Sequence, residues 1–173
     1  GVFKATTFRT LQTGQLLDEH SSLVSRIINQ PSKAKNKLGW VPEYNLENLV
    51  KDMMDSDIEL MKKGAAAFQG EHYFHKYCTK PSAKTLFKRR IDFCEILEND
   101  VLMANFFPEK SYVLKVRGKG FLRYQIRLMM AALFEVGNGN LSLQYIKASL
   151  KKDNDQKSLR NVAPGSGLQL YDI

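Results

Sequence analysis

A change of hydrophobic period at Gly118-Lys119-Gly120 limits the fold of this chain more than any other stretch. From Ser111 to Arg117, Tyr112, Leu114 and Val116 alternate with Val113, Lys115 and Arg117, which is the two-residue period of a strand. Beyond Gly120 the period lengthens. Leu122, Ile126, Met129, Met130, Leu133 and Phe134 then recur as one face of a helix that closes at Gly137. A strand that turns straight into so apolar a helix must fold the helix back onto its sheet. We therefore expect an α+β fold, an antiparallel or mixed sheet with a central amphipathic helix packed on it.

The neighbouring segments extend this pattern. Phe87 to Leu97 reads as a strand with Phe87, Ile91, Phe93 and Leu97 on one face, although Arg89 and Glu95 share that face. Val101 to Phe107 reads as another, and with Ser111 to Arg117 they form an antiparallel meander. After the turn Asn138-Gly139-Asn140, Ser142 caps a helix carrying Leu143, Ile146 and Leu150. Lys151 to Asn161 is a charged loop, and Leu168 to Ile173 a final strand. Upstream, Leu46, Leu49, Val50, Met53 and Met54 share a helical face. Asp55-Ser56-Asp57 prefers caps, so we expect two helices, or one broken near Ser56, with Ile58, Leu60 and Met61 leading into Ala65, Ala66, Ala67 and Phe68. Ser32 is placed to cap a short helix from Ala34 to Leu38, closed by Gly39. The first thirty residues are polar and irregular and promise little stability of their own.

Charge divides the chain. Residues 1–64 hold nine basic and eight acidic residues, and residues 65–173 hold seventeen against ten, so nearly all of the net charge of +8 lies in the second part. Scattered charges would form a solvated surface with no partner, but these cluster near glycines and aromatics and point to a polyanion. Cys78 and Cys94 are too few for a disulfide framework and form no CxxC pair, the pattern of free thiols in a reducing compartment. No segment has the apolar length needed to cross a bilayer, and a cytoplasmic location is expected.

The densest chemistry lies between Lys115 and Arg127. A strand running into Gly118-Lys119-Gly120 and then a helix sets backbone N–H groups where a phosphate can approach, with Lys119 supplying charge. Arg123 stands where a dinucleotide fingerprint needs its third glycine, and the GK[ST] ending of a P-loop is absent, so no nucleotide cofactor is expected. The bland alternative is a tight turn with incidental charge. Arg127 is harder to read as surface: four residues from Arg123 and beside Ile126 and Met130, it lies where the helix meets the sheet and needs an anionic partner there. His72, His75 and Cys78 with Cys94 do not supply a convincing transition-metal ligand set, and aromatic packing under a loop explains that stretch better. Asp153 and Asp155 sit in a charged loop where nothing would raise a carboxyl pKa for acid–base work.

Four spaced motifs carry a resemblance. Gly70-x-His72-x-Phe74, then Gly118-x-Gly120-Phe121-Leu122-x-Tyr124-Gln125-Ile126-Arg127-x-Met129, then Gly137-x-Gly139, and last Ala163-Pro164-x-x-Gly167-Leu168-x-Leu170 occur in the order seen in the C-terminal half of TruA-type tRNA pseudouridine synthases. The likeness covers residues 58–173, with Tyr73 where that family usually has Asp. It implies isomerisation of uridine to pseudouridine in tRNA, with no metal or organic cofactor, by a homodimer or in association with an N-terminal half. It also implies that Arg127 pairs with the family's catalytic Asp and that Leu168 lines the uracil pocket, the apolar wall a flipped base requires. Arg117, Lys119, Arg123, Tyr124 and His72 are the expected RNA contacts. The Arg-Thr-Asp motif that carries the catalytic Asp does not occur, so this chain alone is expected to be inactive. A half-sheet would also leave apolar surface open to association.

Residues 28–57 have another likeness. Gln30-Pro31-Ser32-Lys33-Ala34-Lys35-Asn36-Lys37-Leu38-Gly39-Trp40-x-Pro42 and Asp52-Met53-Met54-x-Ser56-Asp57 resemble the C-terminal tail of GDP-mannose 4,6-dehydratases, without that family's cofactor glycines or its Tyr-x-x-x-Lys pair. The expected organisation is a partly irregular, helical segment 1–57 followed by an RNA-handling domain 58–173, in a fused or truncated product. A non-catalytic RNA-binding module is the second reading and a sugar-nucleotide enzyme fragment the third.

Overall fold

The computed structural model describes residues 2–8, 36, 39, 46–99, 111–152 and 157–172. In chain order its elements are β1 (Val2–Phe8), α1 (Leu46–Ala66), β2 (Gly70–Tyr73), a 3-10 turn (His75–Tyr77), β3 (Lys88–Glu98), β4 (Tyr112–Gly118), α2 (Gln125–Gly137), α3 (Leu143–Ser149) and β5 (Leu168–Asp172). The architecture is α+β. The strands form one sheet in the order β2-β3-β4-β1-β5, and every neighbouring pair is antiparallel.

Alternation in β4 acts as its sequence dictates. Tyr112, Leu114 and Val116 are buried in the core, while Lys115 and Arg117 point the other way. In β3 the core face is Ile91, Cys94 and Ile96, not the expected set of Ile91, Phe93 and Leu97. The ladder explains the difference: Ile91 pairs with Gly118 and Phe93 with Arg117, so Asp92 is an extra residue in a bulge and the faces exchange there. Leu97 is left 41% exposed.

α1 is one helix of 21 residues that runs through Asp55-Ser56-Asp57 without a break. Its inward stripe is Val50, Met54, Ile58, Met61 and Ala65, at spacings of three and four, with buried Phe68 just past its end, and residues 55–57 lie on its exposed side. Packing along that stripe outweighs the local cap preference of three solvent-facing residues. Leu49 and Met53, expected on the apolar face, are exposed. α1 crosses α2 closely, since a β-carbon on Gly64 would lie 2.8 Å from a Leu133 methyl and one on Gly137 2.8 Å from the Met61 sulfur.

α2 is buried more widely than one amphipathic face requires, with ten of its thirteen residues buried. It begins at Gln125 rather than Leu122, and the Asn138 N–H bonds to the Phe134 and Val136 carbonyls at its end. Ser142 caps α3 as expected, accepting from the Tyr145 N–H at 3.1 Å. Phe68, Phe74 and Tyr77 fill the space beneath, with Phe68 edge-on to Tyr77 at 5.2 Å. Burial pushes the Cys78 and Cys94 thiols up, so both stay protonated and unreactive.

The first residues correct another expectation. Val2–Phe8 is a strand, set between β4 and β5 in the sheet. Gly39 has a left-handed φ of +64°, as a helix-closing glycine requires. The rest of the short helix expected from Ala34 to Leu38, except Asn36, lies outside the described residues. So do the strand expected from Val101 to Phe107 and the carboxylates Asp153 and Asp155. No helix among the described residues is long and apolar enough to cross a membrane.

Candidate functional site

The end of β4 and the start of α2 build one corner of the molecule from local bonds. Gly118 permits a close approach to β3, because a β-carbon there would lie 2.9 Å from the Arg90 carbonyl oxygen. Gly120 faces open space, with nothing within 4 Å of the same position. Gln125 then folds the loop onto itself: its buried Oε1 accepts from Leu122 N–H at 2.7 Å, while its own N–H donates to the Leu122 carbonyl at 3.0 Å. That reciprocal pair holds Tyr124 at the helix entry with φ 62° and ψ 12°, a left-handed conformation that a bulky residue rarely adopts.

Arg123, Tyr124 and Arg127 form a stack at this corner. Tyr124 is 43% exposed, with the Arg127 guanidinium 4.6 Å and the Arg123 guanidinium 5.5 Å from its ring centre. Arg127 is half-buried. Its Nε–H donates to the Ala163 carbonyl at 2.6 Å, the Ala163 N–H donates back to the Arg127 carbonyl at 3.2 Å, and a β-carbon on Gly165 would lie 3.5 Å from its Cζ and Nη1. Among the described residues no carboxylate pairs with it. The sequence demanded an anion for this guanidinium, and the described part of the chain supplies a carbonyl and a ring face instead.

The segment 157–168 straps the corner together, a role its composition did not announce. Ser158 Oγ–H donates to the Cys78 carbonyl, and Leu159 N–H donates to the Lys76 carbonyl at 3.0 Å. Ala163 then meets Arg127, and Leu168 N–H closes a turn on the Gly165 carbonyl at 3.0 Å. Leu168 is half-buried against the core as β5 begins. On the other flank, Thr79 N–H donates to the Arg123 carbonyl at 3.2 Å.

Arg117, Lys119, Arg123 and Tyr124 are all exposed on this rim, and Arg127 lies just behind. Arg89 joins them, which its sequence context did not single out, while Arg90 turns to Asp92 at 3.1 Å. Ile91 pairs with Gly118, and the Cys78 thiol, raised by burial, feels the opposing pull of the Arg123 backbone and of the Arg89 and Arg123 charges. The basic run Lys88-Arg89-Arg90 at a strand start was the available signal. His72 stands apart. It lies on β2, the opposite edge of the sheet from β5, where its Nε2–H donates to the Gln69 carbonyl at 2.7 Å and its ring meets Phe74 edge-on at 6.2 Å. Among the described residues no three His, Cys, Asp or Glu side chains converge as a metal site requires. His75, with Phe87 at 4.2 Å and Tyr73 at 5.9 Å, belongs to aromatic packing.

Comparison with known proteins points to one family. The family model for tRNA pseudouridine synthase matches residues 65–173, which hold β2 to β5, the arginine–tyrosine stack and the strap. The chain is 34% identical over 120 residues to "tRNA pseudouridine synthase A" of Limosilactobacillus fermentum, covering 68% of this chain and 42% of that protein. It is 33% identical over 119 residues to "tRNA pseudouridine synthase A 2" of Desulfotalea psychrophila, and 28% over 117 residues to "tRNA pseudouridine synthase A" of a Geobacter strain. The chain thus spans a little over two-fifths of the length of these curated relatives. Nothing in the matches supports a dehydratase tail in residues 28–57, most of which also lie outside the described structure. Since the matched region makes up well over half of the sequence, the chain belongs to the tRNA pseudouridine synthase family.

Proposed function

We propose that residues 58–173 are the RNA-handling part of an enzyme that isomerises uridine to pseudouridine in tRNA, working in the cytoplasm with a polypeptide segment that carries the catalytic Asp. The observation that carries this reading is the state of Arg127. Its Nε is fixed by Ala163 and its face by Tyr124, and no described carboxylate takes the remaining charge. A half-buried guanidinium held this way is a prepared seat for a carboxylate. Pairing with Arg127 would hold that carboxylate ionised, as a group acting on the sugar or base of a flipped uridine must be.

Pseudouridine is an isomer of uridine, so the N1–C1′ bond that breaks is replaced by a C5–C1′ bond and no oxidant, reductant or group donor is consumed. Leu168, tied through Gly165 to the strap that holds Arg127, supplies an apolar wall for the base. Arg117, Lys119 and Arg123 take phosphates, and Tyr124 offers a ring face to a base. His72, away from this corner on β2 and opposite Arg89, would meet a more distant part of the RNA. Residues 1–57 precede this unit and lend it β1 and the first turns of α1.

The test mixes this chain with the portion of the Limosilactobacillus fermentum relative that lies outside the matched stretch, and measures tritium release from tRNA labelled at uracil C5. Release by the mixture, none by either part alone and loss with Arg127→Ala are expected. No release by the mixture, or full release with Arg127→Ala, would contradict the reading.

A further inference from the structure

The sheet contains a place for one strand that the family region does not fill itself. β4 and β5 both belong to the matched region 65–173, yet they are not bonded to each other. β1, from outside that region, lies between them and is antiparallel to both. Among the described residues β5 has no other ladder partner. In this arrangement β5 joins the sheet through β1 alone, so β5 keeps its place only with a strand between it and β4. The relatives carry more than half of their length outside the match, and that part is where a strand for this position would come from.

β1 fits the position imperfectly. Its register against β4 shifts between Thr6 and Phe8, and its register against β5 shifts between Val2 and Phe3. In the register of this ladder Lys4 stands opposite Lys115.

We propose that β1 is an exchangeable strand, and that the position between β4 and β5 is a docking site for a strand of the polypeptide that completes the pseudouridine synthase fold. Binding is strand addition: main-chain bonds to β4 on one side and β5 on the other give affinity, and alternate side chains give register. The occupant runs antiparallel to both neighbours. It has apolar residues at the two positions opposite Leu114 and Val116, and it carries no Lys or Arg opposite Lys115. While β1 is seated, the partner's apparent affinity is reduced by the fraction of molecules in which the position is open. This rests on the reading above that a second segment completes the enzyme.

The test uses the full chain with Lys4→Cys and Lys115→Cys. Directly opposed residues on antiparallel strands lie within disulfide reach, so oxidation ties β1 to β4 and reduction releases it. The probe is the portion of the Limosilactobacillus fermentum relative outside the match. The reduced protein should bind it, with residues 2–8 losing hydrogen-exchange protection while 112–118 and 168–172 keep theirs. The oxidised protein should bind about tenfold more weakly or not at all. Equal binding by both forms, binding with residues 2–8 still protected, or no binding by the reduced form would overturn the proposal. If the double variant does not fold, Ala5→Pro, which removes a ladder N–H from β1, should raise affinity for the probe, and unchanged or lower affinity would count against exchange. Tritium release measured alongside separates the two readings. A complex that ejects β1 but forms no pseudouridine leaves strand exchange standing and refutes the catalytic reading, whereas pseudouridine made by the oxidised form refutes strand exchange alone.

Discussion

Replacing Gly118 with alanine places a methyl group 2.9 Å from the Arg90 carbonyl oxygen and 3.3 Å from Cζ of Phe121. The first obstacle is the backbone of the neighbouring strand, so β3 and β4 must separate at Ile91–Gly118, and overpacking of this kind costs about 1–3 kcal/mol. Gly120, two residues on, has open space around it and no left-handed backbone, so Gly120→Ala should be neutral or stabilise by about 0.4–1 kcal/mol through the unfolded chain. With a urea dependence of roughly 2 kcal/mol per molar, Gly118→Ala lowers the denaturation midpoint by about 0.5–1.5 M, and Gly120→Ala leaves it in place or raises it by up to about 0.5 M. Urea titration followed by circular dichroism checks both. The two glycines look equivalent in sequence. Equal destabilisation by both, or a neutral Gly118→Ala, would refute the close approach of the strands.

Three further outcomes follow from the same geometry. Ser149 gives its hydroxyl proton to the Ile146 carbonyl at 2.6 Å, so Tyr77 donates to Ser149 at 2.7 Å; Ser149→Ala strands a buried donor and should cost about 1–3 kcal/mol, with a Tyr77→Phe, Ser149→Ala double variant losing less than the sum of the single changes. Burial holds the His75 imidazole below its ordinary pKa, so the unfolded chain binds the extra proton; stability should be full above about pH 6.5 and fall as pH drops toward the lower folded value, a loss absent in His75→Phe thermal melts. Tyr124→Gly should keep or raise the melting temperature by relieving the left-handed backbone, yet weaken tRNA binding by the roughly 1–3 kcal/mol of a lost base stack, measured by titration.

What could be read from the residues followed the range of the interactions involved. β4, α2, the Ser142 cap and β5 were legible because each is set by local period or by one capping side chain. α1 was misread at Asp55-Ser56-Asp57 because cap preference is local, whereas the stripe from Val50 to Ala65 gains its stability from α2 and β3. The β3 face was misread because a bulge at Asp92 has no signature beyond its partner strand. β1 went unread because both of its partners are more than a hundred residues away in sequence, and Thr6 and Thr7 in a polar stretch gave no strong alternation. At the site, the half-buried place of Arg127 was readable from its position beside Ile126 and Met130 on an apolar helix. The strap that orients it was not, since Ser158, Leu159 and Ala163 act largely through backbone bonds, which side-chain type does not encode.

Binding of the full chain to unmodified tRNA at low and moderate salt decides whether the corner around Arg117, Lys119 and Arg123 handles RNA. Each phosphate contact adds close to one to the slope of log affinity against log salt. Binding should be salt-sensitive, with slope and affinity both lower in the Arg117→Ala, Lys119→Ala, Arg123→Ala variant. Absence of binding at low salt, or binding that the triple variant leaves unchanged, would contradict RNA handling by this corner.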